Sequence, residues 1–96
     1  MTLITESMAD KLMSIVPVDE IKDALLNEYR RRIIRYRMTD EMMKNKYGIA
    51  FNEFEARNVV REQNYSWHVE SDAMEWEHAI EGLRYANEKL TELQRQ

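Results

Sequence analysis

The last third of the chain carries the pattern that most restricts its fold, an apolar spacing of alternating four and three residues. The positions on this heptad seam are Val69, Ala73, Trp76, Ile80, Leu83, Asn87, Leu90 and Gln94. Such a spacing places these side chains on one face of an α-helix and is typical of helices that pack along their length. The sequence therefore predicts one long amphipathic helix over residues 66–94.

The rest of the chain is also predicted to be helical, because helix breakers are scarce. The 96 residues include 2 Gly and 1 Pro, with 44% hydrophobic and 33% charged residues, a composition that favours helices over a disordered chain. Apolar stripes bounded by Pro17 and Gly48 predict further helices. All the predicted helices cover residues 4–16, 19–38, 40–47, 53–60 and 66–94. We expect an all-α fold, one small domain of four to five helices over residues 1–96.

Helix starts are predicted from side chains that accept hydrogen bonds from the first free backbone N–H groups. The candidate caps, in chain order, are Thr5 or Ser7, Thr39, Asn52 with Glu55, and Ser66 or Ser71. Gly48 is the residue type expected to adopt the left-handed conformation just past a helix end.

Composition also limits the class of protein. The chain has no cysteine, which excludes disulfides and cysteine-ligated zinc. No run approaches the roughly 20 apolar residues of a membrane-spanning helix. The first residues contain acids and no basic segment, unlike a signal peptide. We therefore expect a cytoplasmic protein that does not enter a membrane.

Charge is distributed in two blocks although the net charge is only −4. The basic block consists of Arg30, Arg31, Arg32, Arg35 and Arg37, and the acidic block of Glu62, Glu70, Asp72, Glu75, Glu77 and Glu81. Arg31, Arg32 and Arg35 are the candidates for contact with nucleic acid or with an acidic partner. The net negative charge disfavours unaided binding to nucleic acid.

Aromatic residues beside the acidic block suggest a protein-binding surface. Its candidate residues are Tyr65, Trp67, Glu70, Asp72 and Glu77. Trp and Tyr dominate the energetics of many interfaces, and carboxylates would attract a basic partner. The pattern leaves open whether Tyr65 and Trp67 lie in the core instead.

The heptad seam also suggests self-association. Its most apolar part is Trp76, Ile80, Leu83 and Leu90, which is more apolar surface than a small domain readily covers. We expect a homodimer with these residues along its seam, and for Trp76 the core is the alternative.

Two local patterns resemble functional motifs. Residues 44–58 have the spacing of a helix-turn-helix, but Glu53 and Glu55 would face the DNA phosphates, so a structural corner that places Phe51 and Phe54 in the core is favoured. Glu75 and His78 have the Glu-x-x-His spacing of di-iron proteins. The remaining ligands of such a site are not evident, so a surface Glu and His are favoured and no cofactor is expected.

The segments KYGIAFNEFEAR, residues 46–57, and YSWHVESDAMEWE, residues 65–77, carry a family resemblance. Over roughly residues 20–95 the chain resembles small prokaryotic proteins associated with toxin–antitoxin-like gene pairs. The resemblance implies a short helical protein, not an enzyme, that binds and neutralises another protein such as a small basic toxin. It implies no catalytic residues. The alternatives are a homo-oligomeric structural or nucleic-acid-associated protein and, third, a di-iron carboxylate protein.

Overall fold

A computed structural model describes residues 7–96, and these residues form five α-helices without a strand. The helices are α1 (Met8–Ile15), α2 (Val18–Tyr47), α3 (Phe51–Ala56), α4 (Val59–Glu62) and α5 (Trp67–Gln94). The predicted all-α fold is confirmed. The predicted start of the first helix at residue 4 and the candidate cap Thr5 lie outside the described residues.

Helices α2 and α5 form a long antiparallel hairpin. At one end Lys22 Nζ donates a hydrogen bond to the carbonyl oxygen of Gln96, and at the other Lys46 Nζ donates to Asp72 Oδ2 at 2.5 Å. Helices α3 and α4 pack across the second end of the hairpin. The described chain measures 59 × 31 × 18 Å, so most of the molecule is only one helix layer thick.

Helix α2 is continuous where two helices were predicted, at 19–38 and 40–47. Thr39 does not cap a new helix, because its hydroxyl donates to the Arg35 carbonyl oxygen in the turn before it. No Gly or Pro interrupts residues 18–47, so nothing forces the backbone ladder to end. The helix ends at Gly48 as predicted, with φ of 73° and a hydrogen bond from its N–H to the Lys44 carbonyl oxygen.

The corner between α2 and α5 differs from its prediction in detail. The single helix predicted at 53–60 is two short helices, separated by Asn58 with φ of 53°. Asn52 does not cap the first of them, since Ala50 holds the cap position and the Asn52 side chain bonds to the N–H of Glu53. The predicted role of the corner is nevertheless confirmed, because Phe51 and Phe54 pack in the core.

The buried line of α5 is offset from the predicted heptad seam. Val69 and Trp76 are buried as expected. The other buried positions of this helix are Asp72, Ala79 and Ala86. Each of these residues precedes the predicted seam residue by one position. Small alanine side chains let two helix backbones approach closely, and the periodicity of large apolar residues does not register them.

The apolar residues proposed for an oligomer seam contribute instead to packing within one chain. Trp76 is fully buried, and Ile80 packs against the same core cluster. Leu83 and Leu90 are half-buried along the hairpin. A dimer formed through Trp76 is therefore excluded by its burial in the chain itself.

At Gly82 the Tyr36 ring of α2 packs directly against the backbone of α5. A Cβ atom built on Gly82 would lie 2.7 Å from Cζ of Tyr36 and still closer to Cε2. The Tyr36 ring also meets the His78 ring edge-on, with centroids 5.6 Å apart. Tyr36 therefore occupies the space that any side chain at position 82 would need.

We expect Gly82→Ala to destabilise the protein, although Ala favours a helix by about 1 kcal/mol over Gly. Forcing a methyl group against a packed ring costs about 1–3 kcal/mol. In a Tyr36→Ala background the same change should become stabilising by roughly 1 kcal/mol, because only the helix preference remains. A double-mutant cycle from urea denaturation measures the difference. Equal effects in both backgrounds would contradict the predicted packing.

Candidate protein-binding surfaces

An aromatic cluster holds the start of α5 in place. The Trp76 ring lies 5.0 Å from Phe54, 5.3 Å from Phe51 and 6.0 Å from Tyr47 between centroids. Its Nε1–H donates a hydrogen bond of 2.9 Å to Asp40 Oδ1 on α2. The first turns of α5 are thereby anchored from both α2 and α3, so the opposite side of the helix faces solvent in a fixed orientation.

Asp72 belongs to this anchor, and the prediction that it faces solvent on the partner-binding surface is wrong. It is 8% exposed, and its Oδ2 accepts hydrogen bonds from Lys46 Nζ and from the Tyr47 hydroxyl, at 2.5 and 2.6 Å. His68 Nε2 lies 3.6 Å from the same oxygen and 2.6 Å from Lys46 Nζ. A carboxylate used in this way is not available to a partner.

The pKa values of this cluster are shifted in opposite directions. Burial favours a higher pKa for Asp72, but hydrogen bonds from Lys46 and Tyr47 outweigh it and hold the pKa below its usual value. Burial, together with the hydrogen bond to the Asp72 carboxylate, raises the pKa of Tyr47 to about 12. The neutral phenol and the ionised carboxylate therefore stabilise each other near neutral pH.

The other predicted partner-binding residues are exposed. Trp67 is 79% exposed, and Tyr65, Glu70 and Glu77 are also classed as exposed. Trp67 is the first residue of α5, and the hydroxyl of Ser66 accepts a bond from the Val69 N–H to cap the helix. This decides the alternative left open by the sequence, because Trp67 lies on the surface.

Sequence reasoning missed two residues on the same side of α5, Met74 and Tyr85. Met74 is 71% exposed and lies seven residues after Trp67, which places both on one face. Tyr85 lies eleven residues further on from Met74 and is also exposed. We call this side of the helix the acidic outer face. Its residues are Trp67, Glu70, Met74, Glu77, Glu81 and Tyr85.

Helix α2 has an outer face of opposite charge. The basic outer face consists of Arg31, Ile34, Arg35, Met38 and Met42, all of them exposed. Ile34 is 62% exposed although its side chain is large and apolar. The spacing of Ile34, Met38 and Met42 by four residues is the signal that marks a shared face.

The predicted group of three arginines is divided by the fold. Arg31 and Arg35 lie on the basic outer face, whereas Arg32 is half-buried and its guanidinium lies 5.2 Å from the Tyr29 ring. Glu28 pairs with Arg31 at 2.9 Å and with Arg32 at 2.7 Å. Within residues 7–96 Arg35 forms no ion pair.

Glu75 and His78 have other surroundings than those of a metal site. His78 packs edge-on against Tyr36, and Glu75 is exposed. In the described part of the chain, no group of three or more His, Cys, Asp or Glu side chains is arranged to hold a metal ion.

The site and fold define a helical hairpin closed at one end by a two-helix corner. We find no match for the chain among protein-family models, curated proteins or solved structures. None of the helices described over residues 7–96 is both long and apolar enough to cross a membrane.

Proposed function

We propose that the chain is a protein-binding module rather than an enzyme, and that it acts as the antitoxin-like partner of a small basic protein. The observation that carries the proposal is the position of Trp67, which is 79% exposed at the head of α5. Met74 lies on the same face, with Glu70 between them in sequence. Large exposed apolar side chains grouped in this way mark interaction surfaces.

The chemistry of the acidic outer face suits a basic partner. Glu70, Glu77 and Glu81 flank the apolar residues, and Arg84 pairs with Glu81 at 3.7 Å and with Glu88 at 3.5 Å. Surface carboxylates raise the association rate with a positively charged protein. A central tryptophan can supply the burial on which affinity depends.

The face also has the rigidity that favours tight binding. Trp76 and Asp72, on the inner side of α5, are held by α2 through hydrogen bonds from or to Asp40, Lys46 and Tyr47. A surface ordered before binding loses less conformational entropy when it binds. Trp67 and Met74 are presented on this anchored segment.

Trp67→Ala is expected to weaken binding of the product of the adjacent gene by about 30-fold or more, because a hot-spot truncation costs at least about 2 kcal/mol. Met74→Ala should weaken it less but measurably. The matched control is Met8→Ala on α1, since Met8 and Met74 are both 71% exposed. Titration calorimetry measures each affinity. Unchanged binding of the Trp67 variant would overturn the proposed site.

The charges have a separate signature in the kinetics of binding, which stopped-flow fluorescence measures. Replacing Glu70 and Glu77 by Gln should slow association and flatten its salt dependence, with a smaller effect on dissociation. Asp72 is excluded from this set because it is buried.

The second candidate function is contact with nucleic acid through the basic outer face, favoured by the exposed Arg35, which lacks an ion pair within residues 7–96. It requires that the chain alone bind DNA or RNA with a strong salt dependence. Neutralising Arg31 and Arg35 should then abolish that binding. The proposed protein partner, by contrast, should bind this variant normally.

A further inference from the structure

We infer that copies of this chain associate edge to edge, with the basic outer face of α2 in one copy against the acidic outer face of α5 in the next. This goes beyond the proposed function, since it concerns a second copy of the chain and a surface on α2 that the first proposal does not use. The two faces, their charges and their positions on opposite edges of the hairpin carry the inference.

Met38 lies on the side of α2 that points away from α5. The buried residues Ile33 and Met43 are each five positions from Met38, which is about 140° around the helix in either direction. Met38 is 68% exposed, and Ile34 and Met42 flank it. The outer side of a solvated helix is normally polar. This apolar stripe is instead exposed to solvent, and a second molecule could bury it.

The acidic outer face lies on the opposite edge of the hairpin. Met74 is two residues from Trp76 and five from Ala79, and both of those residues are buried against the rest of the chain. Steps of two and five residues correspond to about 200° and 140° around a helix. The two outer faces therefore point away from each other, and one molecule cannot pair them with itself.

The two faces are complementary in charge and in apolar content. Ile34, Met38 and Met42 lie beside Arg31 and Arg35, and Met74 and Tyr85 lie beside Glu77 and Glu81. Arg35 and Glu77 form no ion pair within residues 7–96. The apolar stripe of α2 extends about 12 Å, and Met74 to Tyr85 extends about 16 Å, at the helical rise.

Charge also decides how two copies are oriented. Pairing α2 with α2 would bring arginines against arginines, and pairing α5 with α5 would bring glutamates against glutamates, both of which are repulsive. Only unlike faces attract. Such a head-to-tail contact leaves one free face of each kind, so it extends into chains or closes into rings.

The first test is sedimentation velocity of the unmodified chain from micromolar to millimolar concentration. We expect the average mass to rise with concentration and to fall when salt is raised from 0.1 to 1 M, where the Debye length shortens from about 10 to 3 Å. Met38→Gln, which keeps a helix-favouring side chain, should lower the average mass. A chain that stays monomeric throughout overturns the inference.

The second test reverses the charges of one face at a time. Arg31→Glu with Arg35→Glu makes both faces acidic, and Glu77→Lys with Glu81→Lys makes both faces basic. Each variant alone should be monomeric. Their mixture should associate again, because each acidic face of the first variant can meet a basic face of the second. A mixture that remains monomeric overturns the inference.

The control carries the same charge change away from both faces. Asp19→Lys with Glu53→Lys, at the start of α2 and on α3, changes two exposed residues, and it should associate like the unmodified chain. Circular dichroism establishes that each variant is folded. Failure here is distinguishable from failure of the proposed function, because the Arg31 and Arg35 variant keeps an intact α5 face and is expected to bind the adjacent-gene product at normal affinity.

Discussion

Trp76→Ala is expected to lower the free energy of unfolding by about 3–5 kcal/mol, the range for truncating a large aromatic residue in a core. Trp76 is 0% exposed and contacts three aromatic rings from α2 and α3. The substitution also removes the hydrogen bond that Asp40 accepts from the indole N–H. Domains of this size have a total stability of roughly 5–15 kcal/mol, so the variant should lose a large share of its stability.

The second tryptophan provides a matched control. Trp67→Ala removes the same side chain from the same helix, but at a position that is 79% exposed. Surface substitutions usually change stability by no more than about 0.5 kcal/mol. Urea denaturation followed by circular dichroism compares the two variants. A similar loss of stability in both would show that the burial assigned to Trp76 is wrong.

Asp72→Ala is expected to cost about 1–3 kcal/mol, because the Lys46 ammonium and the Tyr47 hydroxyl would lose the carboxylate that accepts their hydrogen bonds. The control is Glu70→Ala, two residues earlier on the exposed side of α5. That variant should change stability little while weakening the electrostatic attraction of a basic partner. The pair of variants separates a structural carboxylate from a surface carboxylate in one acidic segment.

The same cluster makes stability depend on pH at both extremes. The folded pKa of Asp72 lies below its ordinary value of 3.8, so its contribution is present above the unfolded pKa and is lost as pH falls through the folded pKa. Tyr47 has the opposite sign. Its contribution is complete below the model-peptide pKa of 10.0 and is lost as pH rises towards about 12.

Denaturation midpoints measured across these two pH ranges test the cluster. In the Asp72→Ala protein the loss of stability at acid pH should be smaller, because the carboxyl group whose pKa is depressed is absent. The loss of stability at alkaline pH should be smaller but should persist, because burial is the larger cause of the raised Tyr47 pKa. Identical pH profiles for the two proteins would contradict the hydrogen bonds assigned to Asp72.

Local signals predicted the helices well where the chemistry is carried by one or two residues. Gly48 ends α2 because it can adopt positive φ, and Ser66 caps α5 through its own hydroxyl. Thr39 shows the limit of such signals, since a residue suited to a cap also fits inside a helix. At Asn58, a positive φ of 53° divides the predicted fourth helix, and no glycine marks the position.

Surface and core assignments were predicted less well, because they depend on the neighbour across the helix. Trp67 and Trp76 both lie in an apolar-aromatic segment, yet one is on the surface and the other is the largest fully buried side chain. Asp72 was grouped with the surface acids, and only the approach of Lys46 and Tyr47 from α2 reveals its structural role.

The sequence by itself determined that the chain is helical and that α5 is long and amphipathic, because these properties follow from the spacing of residues along one segment. Only the tertiary structure decided which way α5 is turned. Ala79 and Ala86 are buried because their small side chains fit between the two long helices, and Gly82 lies against the Tyr36 ring for the same reason. That rotation places Met74 and Tyr85 on the outside, since close packing between helices depends on side-chain volume as well as on hydrophobicity.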